Sequence, residues 1–90
     1  MVSDVERKLI SLLDGLLSRL PDTDIKHVRE LIDAGECDMA LEDLCTQLYE
    51  RDVRITELEF NDIRLIGSDL KVDPKEYVCL SSLVTKSSPK

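Results

Sequence analysis

Apolar residues recur every three or four positions along most of this chain, which is the spacing of one face of an α-helix. The first such run contains Val5, Leu9, Leu12, Leu13, Leu16, Leu17 and Leu20. We predict one long helix that begins at a capping box formed by Ser3 and Glu6 and continues until Pro21 ends the pattern. Gly15 lies inside this run, where glycine costs about 1 kcal/mol relative to alanine, and we expect close packing there.

Two more amphipathic runs follow after short connections. The second helix is predicted to begin within 22–24 and to end at Gly35, a residue suited to the left-handed conformation that closes a helix. The third is predicted to begin with Asp38 as its N-cap. Its apolar residues are Ala40, Leu41, Leu44, Cys45, Leu48 and Tyr49. Such short connections favour antiparallel or steeply crossed neighbours.

The last third of the chain predicts two further helices. Thr56 and Glu59 form a second capping-box signature, and the helix after them spreads its apolar residues widely, so it is either central or has a second face for a partner. Asp73 and Pro74 are typical of a helix start. We therefore predict a small all-α domain of about five helices over residues 1–85, followed by a flexible polar tail at 86–90.

Composition fits this fold and limits the cellular compartment. Leucine, isoleucine and valine total 28 residues against three aromatic residues, which gives an aliphatic core. The three cysteines are an odd number and widely spaced, unlike a secreted disulfide framework. The chain lacks the pattern of a signal peptide and the ~20 apolar residues of a membrane span. We expect a reduced protein in the cytoplasm.

A search for chemistry predicts no catalytic residues, no cofactor and no metal site. The single histidine, His27, is expected to be an exposed or half-buried helix residue. Cysteine and histidine do not occur at metal-ligand spacing, and the three glycines form no phosphate loop. Acyl carrier proteins are also small and acidic, but the segment 67–70 has their Asp-Ser order reversed. We therefore do not expect an enzyme, and the acyl-carrier interpretation is the weakest of the alternatives.

The net charge of −7 is concentrated in one part of the chain. Residues 1–29 are neutral, residues 30–62 carry −9, and residues 63–90 carry +2. An acidic protein is a poor direct ligand for nucleic acid or for an anionic membrane. On the predicted third helix, the acidic residues and Met39 share the side opposite the core, and no lysine or arginine occurs before Arg51. This pattern favours a surface for a basic protein over a merely solvated face.

The same region carries a family resemblance. The segments 27–36 and 40–50, the second of which reads Ala-Leu-Glu-Asp-Leu-Cys-Thr-Gln-Leu-Tyr-Glu, resemble the MafI-type immunity proteins of bacterial polymorphic toxin systems. The resemblance extends over residues 9–84. It implies a small helical inhibitor of a cognate toxin in contact-dependent growth inhibition, and such toxins are commonly nucleases, often RNases.

These observations lead to one functional hypothesis and one alternative. We expect an immunity protein whose acidic surface binds a toxin with a basic surface, and the alternative is an acidic adaptor that docks another basic protein. Leu41 and Leu44 are predicted to be core residues, and Tyr49 to lie at the edge of the core. The predicted contact residues are Glu36, Asp38, Met39, Glu42, Asp43, Glu50 and Asp52, with Glu57, Glu59 and Asp62 nearby.

Overall fold

The computed structural model describes residues 4–85, and its all-α architecture confirms the predicted fold class. The elements are α1 (Asp4–Gly15), α2 (Asp22–Asp33), α3 (Cys37–Glu50), α4 (Glu57–Asp69) and α5 (Lys75–Val78), and the 3-10 segment Cys79–Leu83 continues α5. The predicted capping box at Ser3 and the predicted tail at 86–90 lie outside the described residues. None of the helices within residues 4–85 is long and apolar enough to cross a membrane.

The first helix is shorter than the sequence predicts, because α1 ends at Gly15 and not at Leu20. The following turns are tightened by hydrogen bonds from Leu16 N to Leu13 O and from Arg19 N to Leu16 O, both 2.9 Å long. The Arg19 guanidinium also donates to Gly15 O at 2.7 Å, which satisfies a terminal carbonyl of α1. Leu17, predicted on the apolar face, is 48% exposed as a result.

Helices α2 and α3 are joined by the predicted glycine turn. Gly35 has φ +80°, Glu36 N donates to Leu31 O at 2.9 Å, and Gly35 N donates to Ile32 O at 3.0 Å. This is the Schellman arrangement, in which a left-handed residue lets two amides reach back to the last helical carbonyls. The predicted N-cap Asp38 is wrong, because Glu36 occupies the N-cap position and Asp38 lies in the first turn of α3.

The core is aliphatic and collects side chains from every helix. Helix α1 packs on α4, α2 packs on α3, and α5 with the 3-10 segment packs on α3 and α4. Among residues 4–85, no polar or charged residue is buried. The largest fully buried side chains are Leu9, Leu13, Leu16, Val28, Ile32, Leu41, Leu44, Leu48, Ile55, Ile63, Ile66 and Leu80.

Close helix packing occurs at Gly67 and not at Gly15. Gly67 is buried, and a Cβ atom added there would lie 2.6 Å from Cε2 of Tyr77, closer than atoms can approach. At the exposed Gly15, an added Cβ would lie 3.8 Å from the Glu59 carboxylate, an ordinary contact. The expectation of close packing at Gly15 is therefore wrong, and Gly67 is where α4 receives the Tyr77 ring.

The connector between α3 and α4 is held by the end of the described chain. Ile55 N donates to Leu83 O at 3.1 Å and Thr85 N donates to Ile55 O at 2.8 Å, which makes an isolated parallel bridge between Ile55 and Val84. The bridge buries Ile55 and fixes the point at which the chain enters α4.

Candidate protein-binding surface

Helix α3 separates an apolar inner side from a polar outer side, as predicted. Its inner side consists of the buried residues Ala40, Leu41, Leu44, Cys45 and Leu48. Leu41 and Leu44 have no exposed surface, so their assignment to the core is confirmed. The outer side exposes Met39, Thr46, Tyr49 and Glu50, and Glu42, Asp43 and Gln47 are half-buried along its flanks.

The acidic residues of α3 and its two ends make no hydrogen-bonded ion pair with the described basic side chains. We call this set the α3 acidic face: Glu36, Asp38, Glu42, Asp43, Glu50 and Asp52. Within residues 4–85, only Asp43 of this set lies within 4 Å of a basic side chain, and Arg51, between Glu50 and Asp52 in the chain, pairs with Asp24 instead. Like charges at helical spacing destabilise a helix by a few tenths of a kcal/mol per pair. Apart from the weak contact of Asp43, the fold therefore carries this charge without compensation from the described side chains.

Asp43 lies where α2 and α3 meet. Its Oδ2 atom is 3.8 Å from His27 Nε2, too far for a hydrogen bond, and this buried oxygen accepts none in the described structure. His27 itself is exposed, in agreement with the prediction. The Asp43 carboxylate is thus only weakly compensated.

Two large apolar side chains lie on the outer side of α3. Met39 is 49% exposed and Tyr49 is 54% exposed. Ten residues of helix separate them, which corresponds to about 15 Å. The prediction that Tyr49 lies at the core edge is wrong, because Tyr49 is exposed and is not among the apolar residues packed against the core. Tyrosine is among the residues that most often dominate binding energy in interfaces, so Tyr49 belongs with Met39.

Glu59, one of the predicted contact residues, is occupied within the chain. Arg19 Nη1 donates to Oε1 at 2.8 Å and Nη2 donates to Oε2 at 2.5 Å, and Thr56 N donates to Oε1 at 2.9 Å. Thr56 Oγ1 in turn accepts from Glu59 N at 3.0 Å, which confirms the capping box predicted for α4. The Glu59 side chain is only 16% exposed, so it stabilises the fold and is not free to bind a partner.

The surroundings of Glu59 shift the pKa values of both partners. Burial alone raises the pKa of Glu59, but the hydrogen bonds from Arg19 and Thr56 and the charge of Arg19 outweigh burial, so the pKa lies below its ordinary value. The hydrogen bond to Glu59 raises the pKa of Arg19. Both groups are therefore held in their charged forms.

Glu57 and Asp62, the two other predicted contact residues on α4, are exposed, but they lie outside the α3 acidic face. Asp62 lines a groove of about 290 Å³ between α1 and α4, together with Lys8, Leu12 and Leu65. Glu57 lines a second groove on the opposite side of α4, against the 3-10 segment. The predicted contact residues of the segment 36–62 therefore divide between α3 and α4. We restrict the candidate site to the α3 acidic face with Met39 and Tyr49.

The cysteines and acidic residues were compared with the geometry of metal sites and reactive thiols in the described part of the chain. No group of three or more histidine, cysteine or acidic residues within 4–85 is placed to hold a metal ion. All three thiols are free, and burial raises the pKa of Cys45 to about 12, which keeps it protonated and unreactive. Burial also raises the pKa of Cys37.

Comparisons of the chain with protein-family models, with curated proteins and with solved structures found no match.

Proposed function

We propose that this protein is an immunity protein that binds a cognate bacterial toxin through the α3 acidic face. The observation that carries the proposal is a group of carboxylates around two exposed apolar side chains, Met39 and Tyr49, and within residues 4–85 only that of Asp43 has a basic side chain within 4 Å. The family resemblance of the 27–50 region points to the same class of partner.

The charge of this surface favours a basic partner. Carboxylates without internal ion pairs lose no existing interaction when they meet lysine or arginine, and the partner removes their mutual repulsion. Long-range attraction between the two surfaces also speeds association, and salt weakens that attraction because it screens exposed charges. Binding by this face should therefore be fast and strongly dependent on salt.

A nuclease toxin has the complementary surface. An enzyme that binds RNA or DNA lines its cleft with lysine and arginine that neutralise phosphates. The carboxylates of the α3 acidic face can occupy such a cleft in place of phosphates, with Met39 and Tyr49 supplying apolar contact. Inhibition then follows from exclusion of the nucleic acid, and the immunity protein needs no catalytic group.

Charge reversal on the outer side of α3 tests the surface. We expect Asp38→Lys combined with Glu50→Lys to weaken binding to the toxin domain encoded next to this protein by roughly 10- to 100-fold. The salt dependence of the association rate should fall as well, while the helical circular dichroism is unchanged because both side chains are exposed.

The matched control changes the net charge equally on other helices. Asp4→Lys with Asp69→Lys alters exposed residues of α1 and α4 and should change affinity by roughly 3-fold or less, because it acts only through long-range screened attraction. Equal losses in the two double variants would contradict a site on α3.

A protection assay tests the class of function. Co-expression with the adjacent toxin domain should restore growth and keep cellular RNA or DNA intact, and the Asp38→Lys and Glu50→Lys variant should protect less. Stable binding to a basic protein that is not toxic would instead support the adaptor alternative.

A further inference from the structure

The Asp43 carboxylate lies between helix α2 and the surface that we assign to the partner. Its Oδ2 atom is buried and accepts no hydrogen bond in the described structure, and His27 Nε2 of α2 lies 3.8 Å away. The Asp43 side chain as a whole is nevertheless 24% exposed, so a protein that covers α3 can contact it. A buried carboxylate oxygen without a donor is costly, because it has lost water and gained no hydrogen bond in return. Added positive charge should therefore matter more at Asp43 than at the fully exposed acids of α3.

His27 can supply that charge. Its side chain is 60% exposed and forms no hydrogen bond with the described residues, so a small rotation is enough to bring Nε2 within hydrogen-bond distance of Oδ2. A neutral imidazole has one N–H, whereas a protonated imidazole has two N–H donors and a positive charge. Protonation therefore turns this loose contact into an ion pair.

We propose that His27 makes binding at the α3 acidic face depend on pH, because the protonated imidazole and the basic partner compete for the Asp43 carboxylate. This inference rests on the proposed function, since it concerns the partner of that same surface. While His27 is neutral, the negative charge of Asp43 is available to a lysine or arginine of the partner. Once His27 is protonated, that charge is compensated within the chain, and His27 also repels the partner's cation. Affinity should therefore fall as the pH falls.

The other charged groups around His27 do not take its place. Helix α2 packs on α3 and α1. The charged groups that α2 carries beside His27, or that these helices bring to α2, are Asp24, Lys26, Arg29 and Glu30 of α2, Asp43 of α3, Arg51 at the end of α3, and Asp14 of α1. Arg51 Nε donates to Asp24 Oδ2 at 2.6 Å, and Arg29 Nη1 is 3.6 Å from Asp14 Oδ1. Both arginines are thus directed to other carboxylates, and within residues 4–85 only His27 has a basic atom within 4 Å of Asp43.

The competition also predicts that binding releases a proton. Imidazole side chains change charge between about pH 5 and pH 8, whereas exposed carboxylates stay charged over most of that range. If protonation of His27 weakens binding of the partner, then binding of the partner must weaken protonation of His27 by the same factor. Formation of the complex near pH 6.5 should therefore expel part of the His27 proton into the buffer.

Isothermal titration calorimetry with the toxin domain encoded next to this protein tests the competition. Between about pH 7.5 and about pH 5.5, at constant ionic strength, the original chain should lose roughly 2- to 5-fold more affinity than His27→Gln, as expected for one exposed ion pair. Titrations near pH 6.5 in two buffers of different ionisation enthalpy should show that the original chain releases more protons than His27→Gln, by up to about one per complex. The toxin is the same in both titrations, so its own titrating groups cancel in the comparison.

Two further variants separate the pair from general charge. Lys26→Gln removes an exposed positive charge that does not titrate in this range, so it should strengthen binding at every pH and leave the pH dependence of the original chain unchanged. Asp43→Asn removes the shared carboxylate, so it should weaken binding at about pH 7.5 and lose less affinity on acidification than the original chain does. Circular dichroism checks that each variant keeps the helical fold.

The outcomes distinguish this inference from the proposed function. Equal pH dependence of the original chain and His27→Gln would overturn the role of His27, whereas the proposed function would stand because the toxin still binds. A pH dependence that disappears in His27→Gln but persists unchanged in Asp43→Asn would overturn competition for Asp43. Failure of the original chain to bind the toxin domain at any of these pH values would contradict the proposed function, and the competition with it.

Discussion

The outer sides of α3 and α4 both expose large apolar side chains, but they differ in the signs of their charges. The exposed residues of α3 other than Met39, Thr46 and Tyr49 are acidic, whereas the exposed Leu58 and Leu65 of α4 share that helix with both exposed acids and the exposed Arg64. A helix surface of one sign favours a partner of the opposite sign, whereas a surface of mixed signs does not. The comparison teaches that charge distinguishes α3 from α4 as the surface whose binding should depend strongly on salt.

The comparison holds only if residues on the outer side of each helix can be changed without destabilising the fold. The largest expected effect tests this on α3. Leu41→Ala removes a fully buried side chain and should lower the free energy of unfolding by roughly 2–5 kcal/mol. Met39→Ala, two residues away on the outer side, should change it by less than ~0.5 kcal/mol. Urea denaturation followed by circular dichroism measures both. Comparable losses would mean that Met39 is part of the core.

A smaller effect tests the inner side of α4. Gly67→Ala places a Cβ atom against the Tyr77 ring and should cost about 1–3 kcal/mol of stability, since the ring must move. Gly15→Ala meets only an ordinary contact and should be neutral or stabilising by up to ~1 kcal/mol. Thermal unfolding of the two alanine variants gives the comparison, and a Gly67→Ala protein as stable as the original would refute the close approach of α4 and α5.

The smallest expected effect distinguishes Glu59, whose carboxylate stabilises the fold, from Glu50, whose carboxylate is exposed. Glu59→Gln should cost about 1–2 kcal/mol at neutral pH, because it removes a charge-assisted pair with Arg19. Since the folded pKa of Glu59 is lowered, its contribution is complete above the unfolded pKa of about 4.3 and disappears as the pH falls through the folded value.

The stability difference between Glu59→Gln and the original chain should therefore shrink on acidification below about pH 4.3. Glu50→Gln is the control: Glu50 is exposed and makes no ion pair within residues 4–85, so no such pH-dependent loss is expected. Chemical denaturation at a series of pH values checks this, and a loss for Glu59→Gln that stays constant with pH would contradict the ionic role.

Local signals explain which parts of the fold the sequence predicts. The capping box of Thr56 and Glu59 and the turn at Gly35 each involve residues close together in the chain, and both were predicted correctly. The end of α1 was not, because 3-10 turns continue nearly the same apolar spacing: Leu16 and Leu20 remain buried after the helix has ended. Periodicity alone cannot distinguish the two.

The candidate site was predictable only where its residues share one helix. Helical spacing placed the acids of α3 on one side, and the structure keeps them there. The same reasoning could not separate Glu59 from a free surface acid, because its partner Arg19 lies forty residues earlier in the chain. Tyr49 was misplaced because a residue beside the core in the helical projection can still project outward in the last turn.

The Arg19 guanidinium has a consequence for the architecture as a whole. It donates to Gly15 O, to Arg54 O and to the Glu59 carboxylate, and so it joins the end of α1 to the start of α4. Helices α2 and α3 lie in the chain segment between those two points. The Arg19 contacts therefore hold the two ends of that segment close together. Because α3 also packs against α1, α4 and α5, the segment that these contacts close contains the centre of the core, and only its outward-facing side chains can change without cost to the fold.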